Sequence, residues 1–167
     1  MDETKAGCKI IILGYAGSGK STLAKKLQMR TGLPLVHLDN VWWKPDGTHI
    51  GREEFDNKLQ SLLQGDEWII DGDYSRTYER RFLACDTVVF LDYSEEDCMR
   101  GICARVGKSR DDSPWVGHSL DPELADQVRR YRNENRPKVY ALMEKYPDKR
   151  VFVFRSKDEA QDWLSGL

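Results

Sequence analysis

A glycine-rich stretch, GYAGSGKST, begins at Gly14 and directly follows the branched apolar run KIIIL. Three glycines in six positions weaken either a strand or a helix, so packing alone does not explain them. Glycine lets the backbone curl until successive N–H groups point inward, and a helix that starts there adds the partial positive charge of its N-terminus. The stretch therefore predicts a cradle in which backbone N–H groups bind a polyphosphate.

The residues after the glycines complete the pattern G-x-x-x-x-G-K-S/T between a predicted strand and a predicted helix, which is the context that the motif requires. Lys20 can reach the β- and γ-phosphates of ATP, and the hydroxyl of Ser21 can bind Mg²⁺. A glycine-rich turn with an exposed lysine is the alternative, which the full eight-residue pattern disfavours. The predicted nucleotide-binding residues of the motif are Gly14, Ala16, Gly17, Ser18, Gly19, Lys20, Ser21 and Thr22.

Acidic side chains follow three other predicted strands and could hold the metal or the second substrate. Asp71 is the favoured metal-binding acid, because its strand is expected to lie beside the first one. Asp92 is the rival, and an aspartate that only forms a turn is the alternative for both. Asp39 is expected to orient the acceptor through a hydrogen bond, although capping a following turn explains this residue equally well.

Ring side chains near Asp39 are open to more than one interpretation. His37 lies in an apolar run and is interpreted as a core residue rather than as a base. Trp42 and Trp43 begin the segment WWKPDGTHIG, which is rich in turn-forming residues and is predicted to be a loop. The two indoles could stack on a base or sugar, or they could cover the edge of the core.

Arginines flank a segment rich in Gly, Ser, Asp and Pro, residues 106–121, which is predicted to be a short lid. Arg100 and Arg105 precede the lid, and Arg132 and Arg136 follow it. These four arginines would converge on the transferred phosphoryl group if the lid closed over bound nucleotide. A solvated helix face explains most of the other arginines, a group that includes Arg81 after the turn at Asp71. The predicted catalytic residues are Lys20, Asp39, Arg105 and Arg136.

Short apolar strands alternate with helical patterns along the chain, which predicts an α/β fold. The sheet is expected to be five-stranded and mainly parallel, with helices on both faces and ligands at the carboxyl ends of the strands. One domain is expected to span residues 1–167. The predicted strands are Lys9–Leu13, Leu33–Leu38, Trp68–Ile70, Thr87–Leu91 and Arg150–Phe154, and the predicted helices are Ser21–Arg30, Arg52–Leu63, Glu95–Val106, Pro122–Lys145 and Lys157–Leu164.

The overall composition argues against a strongly charged partner. The chain has 26 basic and 28 acidic residues and a net charge of −2, so no general field attracts nucleic acid or an anionic membrane. No apolar run approaches the about 18 residues of a membrane span, and no signal-peptide pattern is found. The four cysteines lack metal-ligand spacing. These features predict a cytoplasmic protein with reduced thiols that acts on a small molecule without binding nucleic acid directly.

The chain resembles the P-loop nucleoside and nucleotide kinases of the adenylate-kinase kind and, more narrowly, the small bacterial topology modulation proteins. The matching pieces are GYAGSGKSTLAKKL, LPLVHLDNVWWKP, WIIDGDYSRTYERR, DTVVFLD and RYRNENRPKVY. The resemblance implies a P-loop fold with strand order 2-3-1-4-5, a donor site for ATP and Mg²⁺, and a lid that carries arginines. It also implies Asp71 as the metal-side acid, Arg76 as a phosphate contact near the acceptor, Arg100 near the donor adenine and Arg105 on the phosphates.

Two departures separate this chain from true adenylate kinases. The turn DGDYSR lacks the Phe-Pro that follows its glycine in those enzymes, and the lid has few basic residues. We therefore expect a kinase that transfers the γ-phosphoryl group of ATP to a small acceptor, a nucleoside or nucleotide. One alternative is a small-metabolite kinase resembling the shikimate and gluconate kinases, and another is a nucleotide-dependent regulatory protein with weak ATPase activity that affects DNA topology.

Overall fold

The computed structural model describes residues 6–167. The strands within this range form one five-stranded sheet. All neighbouring strands run parallel, and their order across the sheet is β2-β3-β1-β4-β5. This confirms the predicted α/β fold and its 2-3-1-4-5 order. The strands are β1 (Lys9–Gly14), β2 (Leu35–His37), β3 (Trp68–Asp71), β4 (Thr87–Leu91) and β5 (Arg150–Phe154).

Helices cover both faces of the central strand. Four successive residues of β1, numbers 10 to 13, are all 0% exposed. Because neighbouring residues of a strand point to opposite faces, full burial of all four requires a layer on each side. Within the described residues the helices are α1 (Lys20–Thr31), α2 (Leu38–Trp42), α3 (Arg52–Leu63), α4 (Tyr78–Ala84), α5 (Glu95–Ala104), α6 (Pro122–Glu134), α7 (Arg136–Lys145) and α8 (Lys157–Ser165). None of these helices is long and apolar enough to cross a membrane.

The segment after the second strand differs from its prediction. β2 ends at His37, and residues 38–42 form the short helix α2 where a strand end and a loop were predicted. Trp42 therefore ends a helix, and its ring stacks on His49 with the centroids 4.3 Å apart. The same ring meets Phe55 edge-on at 5.5 Å. These contacts place Trp42 against the edge of the core.

The long helix predicted over residues 122–145 is two helices. α6 ends at Glu134 and α7 begins at Arg136, with Asn135 between them. Pro137 explains the break, because proline has no N–H to donate and its ring disfavours helical backbone in the preceding residue. The interruption turns the Asn135 side chain and the first turn of α7 toward the carboxyl ends of the strands, where both make polar contacts described below.

Candidate active site

The loop between β1 and α1 has the backbone conformation that its glycines predict. Gly17 and Gly19 have φ angles of 79° and 89°, a region that residues with a β-carbon rarely adopt. Helix α1 begins at Lys20 without a side-chain cap and without an acidic residue in its first turn. The N–H groups and the partial positive charge of this helix end are therefore not satisfied by a capping side chain.

The ammonium group of Lys20 lies within this loop. Its Nζ donates to the carbonyl oxygens of Gly14 at 3.0 Å and Tyr15 at 2.8 Å. Burial lowers the pKa of Lys20, while the nearby carboxylate of Asp73 partly offsets that effect. The charge of Arg105 lowers the pKa of Lys20 further.

Helix α5 contacts the loop through two glycines. A β-carbon on Gly101 would lie 2.0 Å from the carbonyl oxygen of Gly17. A β-carbon on Gly17 would in turn lie 2.1 Å from the carbonyl oxygen of Cys98. The two backbones therefore pack directly on each other, and only glycine permits this approach. The sequence analysis did not single out Gly101, although a glycine inside an otherwise helical pattern is a signal of such a contact.

Asp39 lies in the first turn of α2, beside the end of β2. Its Oδ1 accepts a hydrogen bond from the hydroxyl of Tyr74 at 2.6 Å. Among residues 6–167, Tyr74 is the one non-glycine residue with a positive φ, of 40°, so its backbone is strained. Burial raises the pKa of Asp39, and the Tyr74 hydrogen bond and the charge of Lys20 only partly oppose this. The result is a carboxyl group of raised basicity within reach of the charge of Lys20.

Asp71 is the last residue of β3, and its neighbour in β2 is His37. The Nδ1 atom of His37 lies 2.7 Å from Oδ2 of Asp71, and both side chains are largely buried. Burial by itself lowers the pKa of His37, but the hydrogen bond and charge of Asp71 outweigh it and raise the pKa. The histidine that was interpreted as a core residue therefore orients the favoured metal-side acid.

Asp73, which the sequence analysis did not single out, connects the loop with three other elements. Its carboxylate accepts hydrogen bonds from the hydroxyls of Tyr78 at 2.5 Å and Tyr131 at 2.7 Å. It also accepts one from the side-chain amide of Asn135 at 3.0 Å and a long one from the Gly14 N–H at 3.4 Å. Asp73 thus fixes the start of the cradle relative to α4, α6 and the break before α7.

Arg81 is not a solvated arginine, as was predicted, because its side chain is fully buried. Its guanidinium donates to the carbonyl oxygens of Gly72 at 2.7 Å and of Asp73, and to Oγ1 of Thr77 at 3.0 Å. Burial lowers the pKa of Arg81, an effect that the Asp73 carboxylate partly offsets. Arg81 therefore holds the turn after β3 in place, and its donors are used inside the protein.

The predicted site arginines differ in their surroundings. Arg136 makes a bidentate contact with Asp92, with Nε 2.8 Å from Oδ1 and Nη2 3.0 Å from Oδ2. Arg100 is 69% exposed and pairs with Asp97 of its own helix at 2.8 Å. Arg105 is half-buried, and the charges that act on it include Arg110, Asp39 and Asp112. Of the three arginines, Arg105 thus lies within electrostatic reach of both Lys20 and Asp39.

The Asp92 pair predicts a pH-dependent stability. Burial by itself raises the pKa of Asp92, but hydrogen bonds from Arg136 and Tyr140 outweigh it and lower the pKa. A lowered pKa stabilises the folded protein above the ordinary value of about 3.9, and this contribution is lost as the pH falls through the folded-state pKa. We expect Asp92→Asn to lower the free energy of unfolding by about 1.5–3 kcal/mol at neutral pH, measured by urea denaturation. The difference from the wild type should shrink below a pH of about 4.

A matched control for this prediction is Asp126→Asn. Asp126 pairs with Arg129 at 2.9 Å, but both side chains are more than half exposed. Such surface pairs contribute about 0–1 kcal/mol. A loss in Asp92→Asn that is no larger than the loss in this control, or a difference from the wild type that persists unchanged in acid, would contradict the prediction.

The predicted lid lies against both α1 and α2. The carboxylate of Asp112 accepts a hydrogen bond from Ser21 at 2.7 Å, and that of Asp111 pairs with Lys25 at 3.0 Å. The side-chain amide of Asn40 donates to the carbonyl oxygen of Asp111 at 2.7 Å. Burial by itself raises the pKa of Asp112, but the hydrogen bond from Ser21 and the charge of Arg110 outweigh it and lower the pKa. An ionised carboxylate of the lid therefore contacts the predicted Mg²⁺-binding hydroxyl.

No family model matches the chain. A stretch of 92 residues, 55% of this chain, is 28% identical to the adenylate kinases of Thermotoga petrophila and Thermotoga maritima. The matched stretch covers 36% of those enzymes, so it spans about a third of the length of the curated relatives. The name of these relatives, adenylate kinase, denotes enzymes that bind a nucleotide. The match is consistent with the glycine-rich loop between β1 and α1.

Solved structures match nearly the whole chain at low sequence identity. The shikimate kinase from Acinetobacter baumannii in complex with shikimate has a TM-score of 0.62 at 15% identity, over 95% of this chain and 89% of that chain. The shikimate kinase from Bacteroides thetaiotaomicron has a TM-score of 0.55 at 16% identity, over 94% of both chains. A gluconokinase from Sinorhizobium meliloti has a TM-score of 0.54 at 17% identity, over 95% of this chain and 92% of that chain. At these identities the likeness establishes the fold, which is that of the P-loop kinases.

Proposed function

On this P-loop kinase fold, we propose that the chain is a phosphotransferase that moves the γ-phosphoryl group of ATP to a small acceptor. The observation that carries the proposal is the cradle, where two left-handed glycines, an uncapped helix N-terminus and the buried ammonium group of Lys20 converge. Such a site binds the phosphates of a nucleotide and stabilises the charge that develops during transfer. The partial match to adenylate kinases and the fold shared with shikimate kinases support the same chemistry.

The donor side would bind ATP together with Mg²⁺. Oxygen atoms of hydroxyl and carboxylate groups are the ligands that Mg²⁺ prefers, and Ser21 and Asp71 supply them beside the cradle. When bound, Mg²⁺ adds positive charge at the phosphate oxygens. Lys20 would bind the β- and γ-phosphate oxygens after it exchanges the carbonyl contacts of the loop for them.

Arginines would contribute at two further points. Arg105 would neutralise charge on the transferred group, because its guanidinium lies within electrostatic reach of both Lys20 and Asp39. Arg136 would take part only after it exchanges Asp92 for a phosphate group, and Arg100 would reach the adenine only after it leaves Asp97. We therefore propose a larger effect on turnover for Arg105 than for the other two.

The residues around Asp39 favour an acceptor that carries a hydroxyl group and no phosphate group. Asp39 has raised basicity and lies within reach of the charge of Lys20, so it would accept a hydrogen bond and then the proton of the attacking hydroxyl. Recognition of an acceptor phosphate needs a free cation, but the arginines of the turn after β3 are engaged. Arg76 pairs with Asp56 at 2.8 Å, and Arg81 donates to backbone carbonyls. A nucleoside or a polyhydroxylated metabolite therefore fits better than a nucleotide.

A panel of acceptors tests the proposed function. ATP consumption would be measured with nucleosides, nucleoside monophosphates, sugars and hydroxyl acids such as shikimate and gluconate. We expect one hydroxyl compound to raise consumption sharply, and Asp39→Asn to lower kcat with that compound by about 100- to 10,000-fold. The control is Asp46→Asn, because Asp46 is exposed and bonds only to Thr48 among the described residues.

Slow ATP consumption that no compound of the panel accelerates would contradict the proposed kinase activity. In that case the chain would be a nucleotide-dependent regulator, which is the property that the narrower resemblance to topology modulation proteins suggests. Capture of a partner only in the presence of ATP would then be the expected observation. A large loss of turnover in the Asp46→Asn control would show instead that the loop, rather than the Asp39 carboxylate, sets the rate.

A further inference from the structure

The hydroxyl of Ser21 donates its hydrogen bond to a lid residue and not to the strand-end acid predicted for the metal site. Oγ of Ser21 lies 2.7 Å from Oδ2 of Asp112, and the Asp112 side chain is only 7% exposed. Arg110 also contacts this oxygen, at 3.1 Å. Asp71 is held by His37 on the neighbouring strand. A carboxylate from outside the sheet thus lies beside the serine that is predicted to bind the metal.

A metal site of this kind needs few protein ligands. Mg²⁺ at nucleotide sites is bound by one or two carboxylates together with substrate phosphates, and not by a cage made only of protein. In agreement with this, no group of three or more His, Cys, Asp or Glu side chains within residues 6–167 is arranged as a cage. One carboxylate beside the Ser21 hydroxyl fits such a site.

Resting on the proposed function, we propose that Asp112 completes the Mg²⁺ site from the lid, so that metal binding and lid closure are coupled. Other contacts of the lid with the rest of the protein involve Asp111 and Trp115. Asp111 pairs with Lys25 and Asn40, and the ring of Trp115 packs on Gly47, where a β-carbon would lie 2.6 Å from it. Asp112 therefore provides a buried attachment of the lid to Ser21.

Charge explains the direction of the coupling. A triphosphate bound without a metal ion places its negative charge beside the Asp112 carboxylate, and like charges at this distance repel. The lid is then expected to leave α1. With Mg²⁺ present the negative charges are compensated, and the lid keeps its contact with Ser21. Asparagine at this position can still accept the hydrogen bond from Ser21, but it carries no charge to bind a cation.

The first test measures binding rather than turnover. A non-hydrolysable ATP analogue would be titrated by calorimetry into the wild type and Asp112→Asn at a series of Mg²⁺ concentrations. We expect the Mg²⁺ concentration that gives half of the gain in affinity to rise by about 10- to 100-fold in the variant. Asp112→Glu keeps the carboxylate and should recover part of the loss. Asp111→Asn is the matched control, because Asp111 is 88% exposed, and its Mg²⁺ dependence should equal that of the wild type.

Each outcome of the titration bears either on this inference alone or also on the proposed function. An unchanged Mg²⁺ dependence in Asp112→Asn, or tighter binding of the analogue with Mg²⁺, would overturn the inference and make Asp112 a latch that competes with nucleotide. These results leave the proposed function intact, because nucleotide still binds. If the wild type binds no analogue in the presence of Mg²⁺, the proposed function itself fails and this inference fails with it.

The second test follows the lid itself. Trp115 is 42% exposed in its contact with Gly47, so quenching of its fluorescence by acrylamide reports whether the lid is docked. The chain has five tryptophans, and Trp115→Phe identifies the signal of this one. We expect the analogue with EDTA to increase quenching in the wild type, and added Mg²⁺ to reverse the increase. In Asp112→Asn both changes should be absent, and equal metal-dependent changes in the two proteins would overturn the coupling.

Discussion

Replacing Lys20 with methionine is expected to lower ATP turnover with the acceptor by about 100- to 1000-fold. Methionine keeps the length of the side chain but removes the ammonium group that the loop carbonyls hold. Because burial already lowers the pKa of Lys20, removing its charge relieves a desolvation cost. The free energy of unfolding should therefore stay the same or rise. Steady-state kinetics and urea denaturation of the same preparation separate lost chemistry from lost fold.

Lys26→Met is the matched control for this prediction. Lys26 lies on the same helix, but it is exposed, and within residues 6–167 its ammonium group donates only to the side chain of Gln161, at 2.9 Å. Its loss removes one positive charge and leaves the cradle unchanged. Equal turnover in Lys20→Met and Lys26→Met would show that the ammonium group in the loop does not act on phosphates.

Replacing Gly101 with alanine is expected to damage both the fold and nucleotide binding. In an ordinary helix interior this change stabilises by up to about 1 kcal/mol. Here the new β-carbon would lie 2.0 Å from the carbonyl oxygen of Gly17, so either α5 or the loop must shift. We expect a loss of about 1–3 kcal/mol in the free energy of unfolding. The affinity for ATP should fall about tenfold or more, which is about 1.4 kcal/mol of binding free energy.

Gly166→Ala provides the comparison for Gly101→Ala. Gly166 follows α8, has a negative φ, and a β-carbon there would meet its nearest neighbour, the Trp163 carbonyl oxygen, at an ordinary 3.5 Å. This variant should bind ATP as the wild type does. If Gly101→Ala were as stable as the wild type and bound ATP equally well, the direct contact between α5 and the cradle would have no part in shaping the site.

The sheet and the conformation of the glycine-rich loop were predictable because their signals are local. Residues 10 to 13 form an apolar run that ends at a glycine, and the motif that follows fixes both the end of β1 and the start of α1. The break between α6 and α7 was also marked locally, by Pro137, but the helical pattern on both sides obscured it. Helix boundaries elsewhere agree with the prediction to within one or two residues, as is usual for such comparisons.

The polar contacts of the site were not predictable, because they join residues that are distant in the chain. Asp112 and Ser21 are 91 positions apart, and the lid sequence gives no sign of where it lies. Asp73 was not singled out, because its role depends on tyrosines of two different helices. Arg81 was placed on a solvated face because single arginines are usually exposed, whereas the backbone carbonyls of a turn satisfy it in the interior.

A calorimetric series of adenosine, AMP, ADP and ATP, each in the presence of Mg²⁺, tests most directly whether the loop at Gly14–Ser21 binds polyphosphate. We expect the affinity to increase from AMP to ADP and from ADP to ATP, and this increase to be largely lost in Lys20→Met. Equal affinities along the series, or no binding by any of the four compounds, would contradict the phosphate cradle and the phosphotransferase proposed from it.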